Sequence, residues 1–156
     1  MKKSIELNID QAKGLLGQNS ALDVLLKANF TPIELGLKTQ DVFKSFADVL
    51  AFHNETAEQF AERTANDTPD EVGYKKCKMI VYALNGGKYL DYKDAGVYKY
   101  YPWFNSAGSG SGFSFFVYAY VYVRSDVVSR LLLETSALAE YAGKTFTAEY
   151  NEFING

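Results

Sequence analysis

One segment of this chain, residues 113–123, alternates between two kinds of side chain with a period of two residues. Such alternation is typical of a β-strand, because successive side chains point to opposite faces of a sheet. The apolar set predicts the face that packs on the core, and it comprises Phe113, Phe115, Val117, Ala119, Val121 and Val123. The other set predicts the opposite face, and it comprises Ser114, Phe116, Tyr118, Tyr120, Tyr122 and Arg124.

The rest of the chain predicts helices on both sides of this sheet region. In residues 1–87, six polar residues precede helix-like patterns and can cap them: Asp10, Ser20, Thr31, Thr39, Thr56 and Thr68. The strongest of these starts is Thr68-Pro69-Asp70-Glu71, and Asn85-Gly86-Gly87 is expected to end its helix. The helix that starts at Thr39 is expected to continue past Phe46 to Leu50.

In residues 88–156, strands are expected at residues 98–101, 113–123 and 128–134, with the first ending at Pro102. A turn is expected at Ser125-Asp126, and residues 105–112 read as a flexible loop. A final helix is expected over residues 136–153, capped by Thr135 or Ser136. The whole chain therefore predicts a single α+β domain, with N-terminal short helices, a central antiparallel sheet and a C-terminal helix packed on that sheet.

Composition excludes several functional classes. The 156 residues carry a formal net charge of -3, which disfavours a general nucleic-acid binder. The lone cysteine, Cys77, excludes an intramolecular disulfide, and with the lone histidine, His53, it makes a zinc site improbable. No cofactor, metal or catalytic residue is predicted. The charged N-terminus is unlike a secretory signal and no apolar run reaches the roughly 18 residues of a membrane span, so a cytoplasmic chain without a membrane partner is expected.

The tyrosine-bearing face of residues 113–123 is the best candidate for a binding site. Tyrosine combines a rigid apolar ring with a hydroxyl group, which suits recognition surfaces. The candidate ligand-binding residues are Phe116, Tyr118, Tyr120, Tyr122, Arg124 and Trp103. Two alternatives stay open: the C-terminal helix covers the tyrosines, and Trp103 is a core anchor, which is the commoner role of a lone tryptophan.

A series of short motifs along the chain resembles a known group of proteins. The motifs are Asn85-Gly86-Gly87, Tyr98-Lys99-Tyr100-Tyr101-Pro102-Trp103-Phe104, Gly112-Phe113-Ser114-Phe115, Ser129-Arg130-Leu131 and Leu138-Ala139-Glu140-Tyr141-Ala142-Gly143-Lys144. They resemble small uncharacterised phage and prophage proteins of gut Bacteroides-type bacteria. The stretch between Phe115 and Val128 also resembles the variable segment of diversity-generating phage receptor binders, in which a tryptophan, a Gly/Ser loop and a Phe-Ser-Phe strand come first, as Trp103 and residues 105–115 do here. That resemblance implies a C-type-lectin-like fold as a minority expectation.

Taken together, these features predict a non-enzymatic, phage-derived binding module that recognises a protein or glycan through its tyrosine-rich strand. The resemblance implies a location in the bacterial cytoplasm or on the virion. A first alternative is a single-stranded nucleic-acid-binding protein, in which Tyr118, Tyr120 and Tyr122 stack on bases near Arg124 and Arg130. A second is a phage structural or assembly protein that uses the aromatic strand as a homo-oligomer interface.

Overall fold

The fold combines helices with a small antiparallel sheet, as a computed structural model shows; it describes residues 6–91, 96–106, 113–121 and 129–156. The α+β class is confirmed. The described helices are α1 (Ile9–Leu15), α2 (Ser20–Asn29), α3 (Thr39–Val42), α4 (Phe46–Phe52), α5 (Ala57–Arg63), α6 (Pro69–Leu84), α7 (Ser136–Thr145) and α8 (Thr147–Asn155). The sheet pairs β1 (Lys99–Ser106) with β2 (Phe113–Val121). None of the described helices is both long and apolar enough to cross a membrane.

Helix α6 forms the centre of the core. Its start is the predicted one, since Thr68 and Glu71 make a reciprocal capping box and Pro69 occupies the first turn. Its end is also the predicted one, because Gly86 and Gly87 follow with positive φ angles of 71° and 81°. Its buried face packs on residues of α4, α7 and α8, so one continuous core joins both halves of the chain.

The N-terminal helices have a small core of their own, built around Ala12, Leu26 and Leu35. Their N-caps lie one or two residues before the predicted ones. Asn8 caps α1 in a box with Gln11, and Asn19 caps α2. The segment that begins at Thr31 forms a hydrogen-bonded turn instead of a helix.

The helix predicted to run from Thr39 past Phe46 is wrong, because two helices occupy its place. The first ends at Val42. Ser45 then begins a new helix, since its hydroxyl accepts from the Asp48 amide while the Asp48 carboxylate accepts from the Ser45 amide at 2.8 Å. This local capping box interrupts an apolar pattern that otherwise reads as continuous.

Strand β1 runs through Pro102, where the sequence pattern predicted its end. The reason is the direction of the backbone groups. Tyr100 donates to the Leu133 carbonyl at 2.9 Å and accepts from the Leu133 amide at 2.7 Å, so the backbone polar groups of Tyr100 point away from β2. Pro102, two residues on, has the same orientation, and its missing N–H removes no bond from the β1–β2 ladder.

A β-bulge at Phe116 reverses the predicted faces of β2. Trp103 pairs with Val117 and Phe104 pairs with Phe115, so Phe116 is the extra residue. A one-residue bulge interrupts the alternation, so each residue after it lies on the face opposite to the one that strict alternation predicts. Tyr118 and Tyr120 consequently share the helix-covered face with Phe115, and the prediction that they lie opposite Phe115 is wrong.

The C-terminal helix does pack on the sheet, as predicted, but it is divided into α7 and α8. Thr135 caps α7 by accepting from the Leu138 amide at 3.2 Å. The strand predicted at residues 128–134 is also wrong: residues 129–131 form a single 3-10 turn, and of the described residues in this segment Leu133 alone bridges to β1. The loop predicted at residues 105–112 is wrong in its first two residues, because Asn105 and Ser106 pair with β2 as part of β1. The rest of that loop, the turn predicted at Ser125-Asp126 and the end of the strand at residues 122–123 lie outside the described residues.

Candidate functional site

Four tyrosine rings meet on one face of the two-stranded sheet. Tyr98 lies just before β1, Tyr100 lies in β1, and Tyr118 and Tyr120 lie in β2. The ring centroids of Tyr98 and Tyr120 are 5.2 Å apart, and those of Tyr100 and Tyr118 are 5.8 Å apart. Both pairs meet edge to face, which is a favourable arrangement of aromatic quadrupoles. We call these four residues the tyrosine cluster.

The strand register brings the cluster together. Tyr100 is directly opposite Tyr120, and Pro102 is opposite Tyr118. Helix α7 covers the neighbouring part of the same face, where a Cβ atom on Gly143 would lie 2.9 Å from the Pro102 side chain. Because α7 begins at Ser136, the face beyond that residue is not covered by the helix. There the four rings and Ser136 line a cleft of about 190 Å³.

The cluster is open to solvent at its outer side. Tyr98, Tyr118 and Tyr120 are 45%, 37% and 61% exposed, respectively, whereas Tyr100 is half-buried and packs against the core. Within the described ranges, no protein group forms a hydrogen bond with the Tyr118 or Tyr120 hydroxyl. The α7 helix therefore covers the tyrosine face only in part, an outcome between the two alternatives that the sequence left open.

The remaining predicted site residues do not join this cluster. Phe116 is 66% exposed at the bulge, and Trp103 is 48% exposed on the opposite face of the sheet, beside Tyr101 at a ring distance of 6.3 Å. The interpretation of Trp103 as a core anchor is therefore wrong. Tyr122 and Arg124 lie outside the described residues.

Sequence reasoning missed Tyr98 and Tyr100 as members of the site. Their spacing of two residues was a usable signal, since it matches the spacing of Tyr118 and Tyr120. Only the pairing of the strands shows that the two spaced pairs face each other, because a hairpin register depends on the connection between its strands.

Three side chains with potential chemistry, Arg130, His53 and Cys77, make their contacts outside the tyrosine cluster. The Arg130 guanidinium lies 4.6 Å from the centre of the Tyr89 ring, so this cation stacks on Tyr89. His53 forms a 3.2 Å hydrogen bond with the Met79 carbonyl. Burial raises the pKa of the Cys77 thiol far above its ordinary range, which keeps the sulfur protonated and unreactive. Among the residues that the structure describes, no group of three or more His, Cys, Asp or Glu could hold a metal ion.

A second cavity, of about 570 Å³, lies where the N-terminal helices meet the main core. Its lining is mainly apolar, with Phe30, Leu35 and Phe43 among the lining residues. Lys27 and Asp48 also line it. The Asp48 carboxylate is already engaged in the α4 cap. The tyrosine cluster is consequently the better candidate site.

No protein-family model, curated protein or solved structure matches this chain.

Proposed function

We propose that this chain is a non-enzymatic binding module of phage origin that recognises a protein or glycan through the tyrosine cluster. The observation that carries the proposal is the convergence of four tyrosines around an open cleft at the N-terminal end of α7. The phage origin is supported only by the resemblance of the sequence motifs. A place in the host cytoplasm or on the virion is part of the same proposal.

The chemistry of the cleft favours ligands with both an apolar face and hydroxyl or amide groups. Tyrosine rings offer flat apolar surfaces that lose little conformational entropy on binding, and their hydroxyls can donate or accept hydrogen bonds. A sugar ring stacks on such rings through its C–H face. A protein side chain can enter in the same way. At about 190 Å³, the cleft is smaller than typical small-molecule pockets and suits a single ring or side chain of a larger ligand.

Single-stranded nucleic acid is a weaker ligand class for this surface. Base stacking on aromatic side chains usually accompanies a cationic groove that follows the backbone. Arg130, which the sequence placed near the tyrosines, stacks on Tyr89 instead. The formal net charge of -3 adds no general attraction for phosphates.

The test is a binding screen on the native chain and on two variants. The probes are a printed glycan array, a panel of bacterial surface proteins and labelled single-stranded oligonucleotides. Y118S/Y120S removes two exposed rings of the cluster, and W103A removes an exposed ring from the opposite face as a matched control. We expect Y118S/Y120S to lose binding by at least tenfold and W103A to keep it.

Thermal melts of both variants accompany the screen, so that loss of folding is not mistaken for loss of binding. A collapse of the Y118S/Y120S melting temperature would show that the rings are core residues and would refute the proposal. Unchanged binding by a folded Y118S/Y120S variant would refute it as well. Selective capture of the oligonucleotides would instead establish the nucleic-acid alternative.

A further inference from the structure

The cavity of about 570 Å³ between the N-terminal helices and the main core is bounded by two helix faces. Val24 and Ala28 line it from α2, and they lie four residues apart, on one side of that helix. Ala51 and Phe52 line it from α4. Val24 is 68% exposed, so the α2 wall is an apolar surface that is open to solvent.

The floor of the cavity is apolar and comes from both cores of the chain. Leu35 belongs to the N-terminal core and Phe43 to the main core, and both are almost fully buried. A volume of about 570 Å³ lies within the range of about 300–1,000 Å³ that is typical of small-molecule pockets. Removing such apolar walls from water is favourable, so the cavity suits a ligand with an apolar body.

Lys27 supplies a positive charge at this cavity. The charged residues along its walls are Lys27 and Asp48. The Asp48 carboxylate accepts from the Lys44 and Ser45 amides at 3.0 and 2.8 Å, so its charge is used in the α4 cap. Lys27 forms no ion pair with any residue in the part of the chain that the structure describes.

The acidic residues that lie nearest to Lys27 in sequence have other partners. Asp23, one turn earlier on α2, accepts from the Gly17 amide at 2.8 Å. Glu34, in the turn that follows α2, accepts from the Thr31 amide at 2.7 Å. A negatively charged group that enters the cavity can therefore pair with Lys27 without displacing either of these carboxylates.

We infer that this cavity binds an unbranched aliphatic carboxylate, the chemistry of a free fatty acid. The aliphatic chain lies over Leu35 and Phe43, and the carboxylate accepts from the Lys27 ammonium group. A lysine at the rim can make this contact because its stem lies along apolar surface while its charged end stays near water. One lysine matches one negative charge, so a carboxylate fits better than a doubly charged phosphate. This site is separate from the tyrosine cluster and goes beyond the proposed recognition of a protein or glycan.

A chain-length series tests the apolar part of the inference. Isothermal titration calorimetry compares octanoate, decanoate and dodecanoate, with 1-decanol as the uncharged match for decanoate. Each methylene that enters an apolar site strengthens binding about fourfold, so each two-carbon step should raise the affinity roughly tenfold until the cavity is filled. Equal affinities for the three carboxylates, or no saturable binding of any of them, would overturn the inference.

A lysine substitution tests the charge. K27M removes the ammonium group and keeps an apolar stem, so it should bind decanoate about tenfold more weakly and 1-decanol as the native chain does. The matched control is K13M, because Lys13 is an exposed lysine of α1 that does not line the cavity. A K27M variant that binds decanoate as tightly as K13M would overturn the inference. So would a native chain that binds 1-decanol as tightly as decanoate.

Filling the cavity tests the location. Ala51 is exposed and lines the wall, so A51F should place a ring in the cavity and abolish decanoate binding while the chain stays folded in a thermal melt. A folded A51F that still binds decanoate would overturn the inference. If A51F does not fold, the comparison of K27M with K13M still decides.

Two further measurements separate this inference from other occupants and from the proposed function. A native chain that binds no carboxylate but forms dimers in sedimentation velocity, which A51F abolishes, would assign the cavity to a second copy and overturn the inference. Y118S/Y120S should keep decanoate binding unchanged, because its substitutions lie in the tyrosine cluster. Loss of glycan or protein binding therefore leaves this inference standing, and loss of decanoate binding in K27M leaves the proposed function standing.

Discussion

Gly73 of α6 and Phe153 of α8 bring their helix backbones into close contact. A Cβ atom built on Gly73 would lie 2.6 Å from the Cα atom of Phe153. Around this point the Tyr74 and Phe153 rings are 5.5 Å apart, and Lys76 pairs with Glu152 at 2.6 Å. The absence of a side chain at Gly73 therefore sets the distance at which the C-terminal helix meets the core helix.

Substitution G73A should destabilise the chain, although alanine is the better helix former. Overpacking against backbone costs about 1–3 kcal/mol, and the gain in helix propensity is about 1 kcal/mol, so a net loss of up to about 2 kcal/mol is expected. Chemical denaturation measures it. G14A is the control, because nothing lies within 4 Å of its new methyl group, and it should be neutral or stabilising. A G73A variant as stable as G14A would show that the helices can separate freely.

Replacing Tyr150 and Tyr141 by phenylalanine should affect stability differently, because only the Tyr141 hydroxyl has a hydrogen-bond partner among the described residues. Within the described part of the chain, the fully buried Tyr150 hydroxyl has no hydrogen-bond partner. Y150F should therefore leave stability unchanged or raise it by about 1 kcal/mol. The Tyr141 hydroxyl donates to the Phe43 carbonyl at 3.1 Å, and Y141F should cost about 0.5–1.5 kcal/mol. Thermal melts of the pair decide, and a Y150F loss as large as that of Y141F would contradict the expectation.

Phe146 is buried in the main core at the junction of α7 and α8. Its truncation in F146A should cost about 3–5 kcal/mol, because the ring leaves a cavity that the neighbouring helices cannot fill. The solvent-exposed Phe116 offers a matched control, and F116A should change the free energy of unfolding by less than about 0.5 kcal/mol. Urea denaturation curves of both variants test this, and a loss below about 1 kcal/mol for F146A would show that the site can collapse.

The Cys77 thiol should make the chain less stable at alkaline pH. Burial raises its pKa in the folded state, while in the unfolded chain the pKa is about 8.5. The folded state therefore holds the proton after the unfolded state has released it. The contribution of Cys77 to the free energy of unfolding is therefore most favourable below about pH 8.5 and becomes less favourable as the pH rises further.

Alkylation provides the readout for Cys77. Iodoacetamide at pH 8 should modify the native protein very slowly and the urea-unfolded protein quickly, since only unfolding exposes the sulfur to solvent. The tyrosine-cluster variant Y118S/Y120S serves as a control that changes the surface and leaves Cys77 buried. Fast alkylation of the native chain would mean that the α6–α8 contact opens readily.

Several features of this protein follow from short stretches of sequence. The helix caps at Thr56 and Thr68 and the glycine stop after α6 were all predicted correctly. A capping box satisfies its own donors within four residues, so it acts wherever its segment lies in the fold. The same local rule explains the error at Ser45, where a serine–aspartate box outweighs a continuous apolar stripe.

The composition of the tyrosine site was visible in the sequence, but its arrangement was not. Residues 113–121 form a strand, as the sequence predicted, but the sequence left open whether the tyrosines are exposed or covered. Their faces were decided by the bulge at Phe116, and the bulge exists only because β1 pairs with β2 in a particular register. Leu133 likewise decided that β1 could continue through Pro102. A helix cap depends on residues that are neighbours in the chain. Strand register depends on contacts between residues far apart in sequence, and those contacts form only when the chain folds.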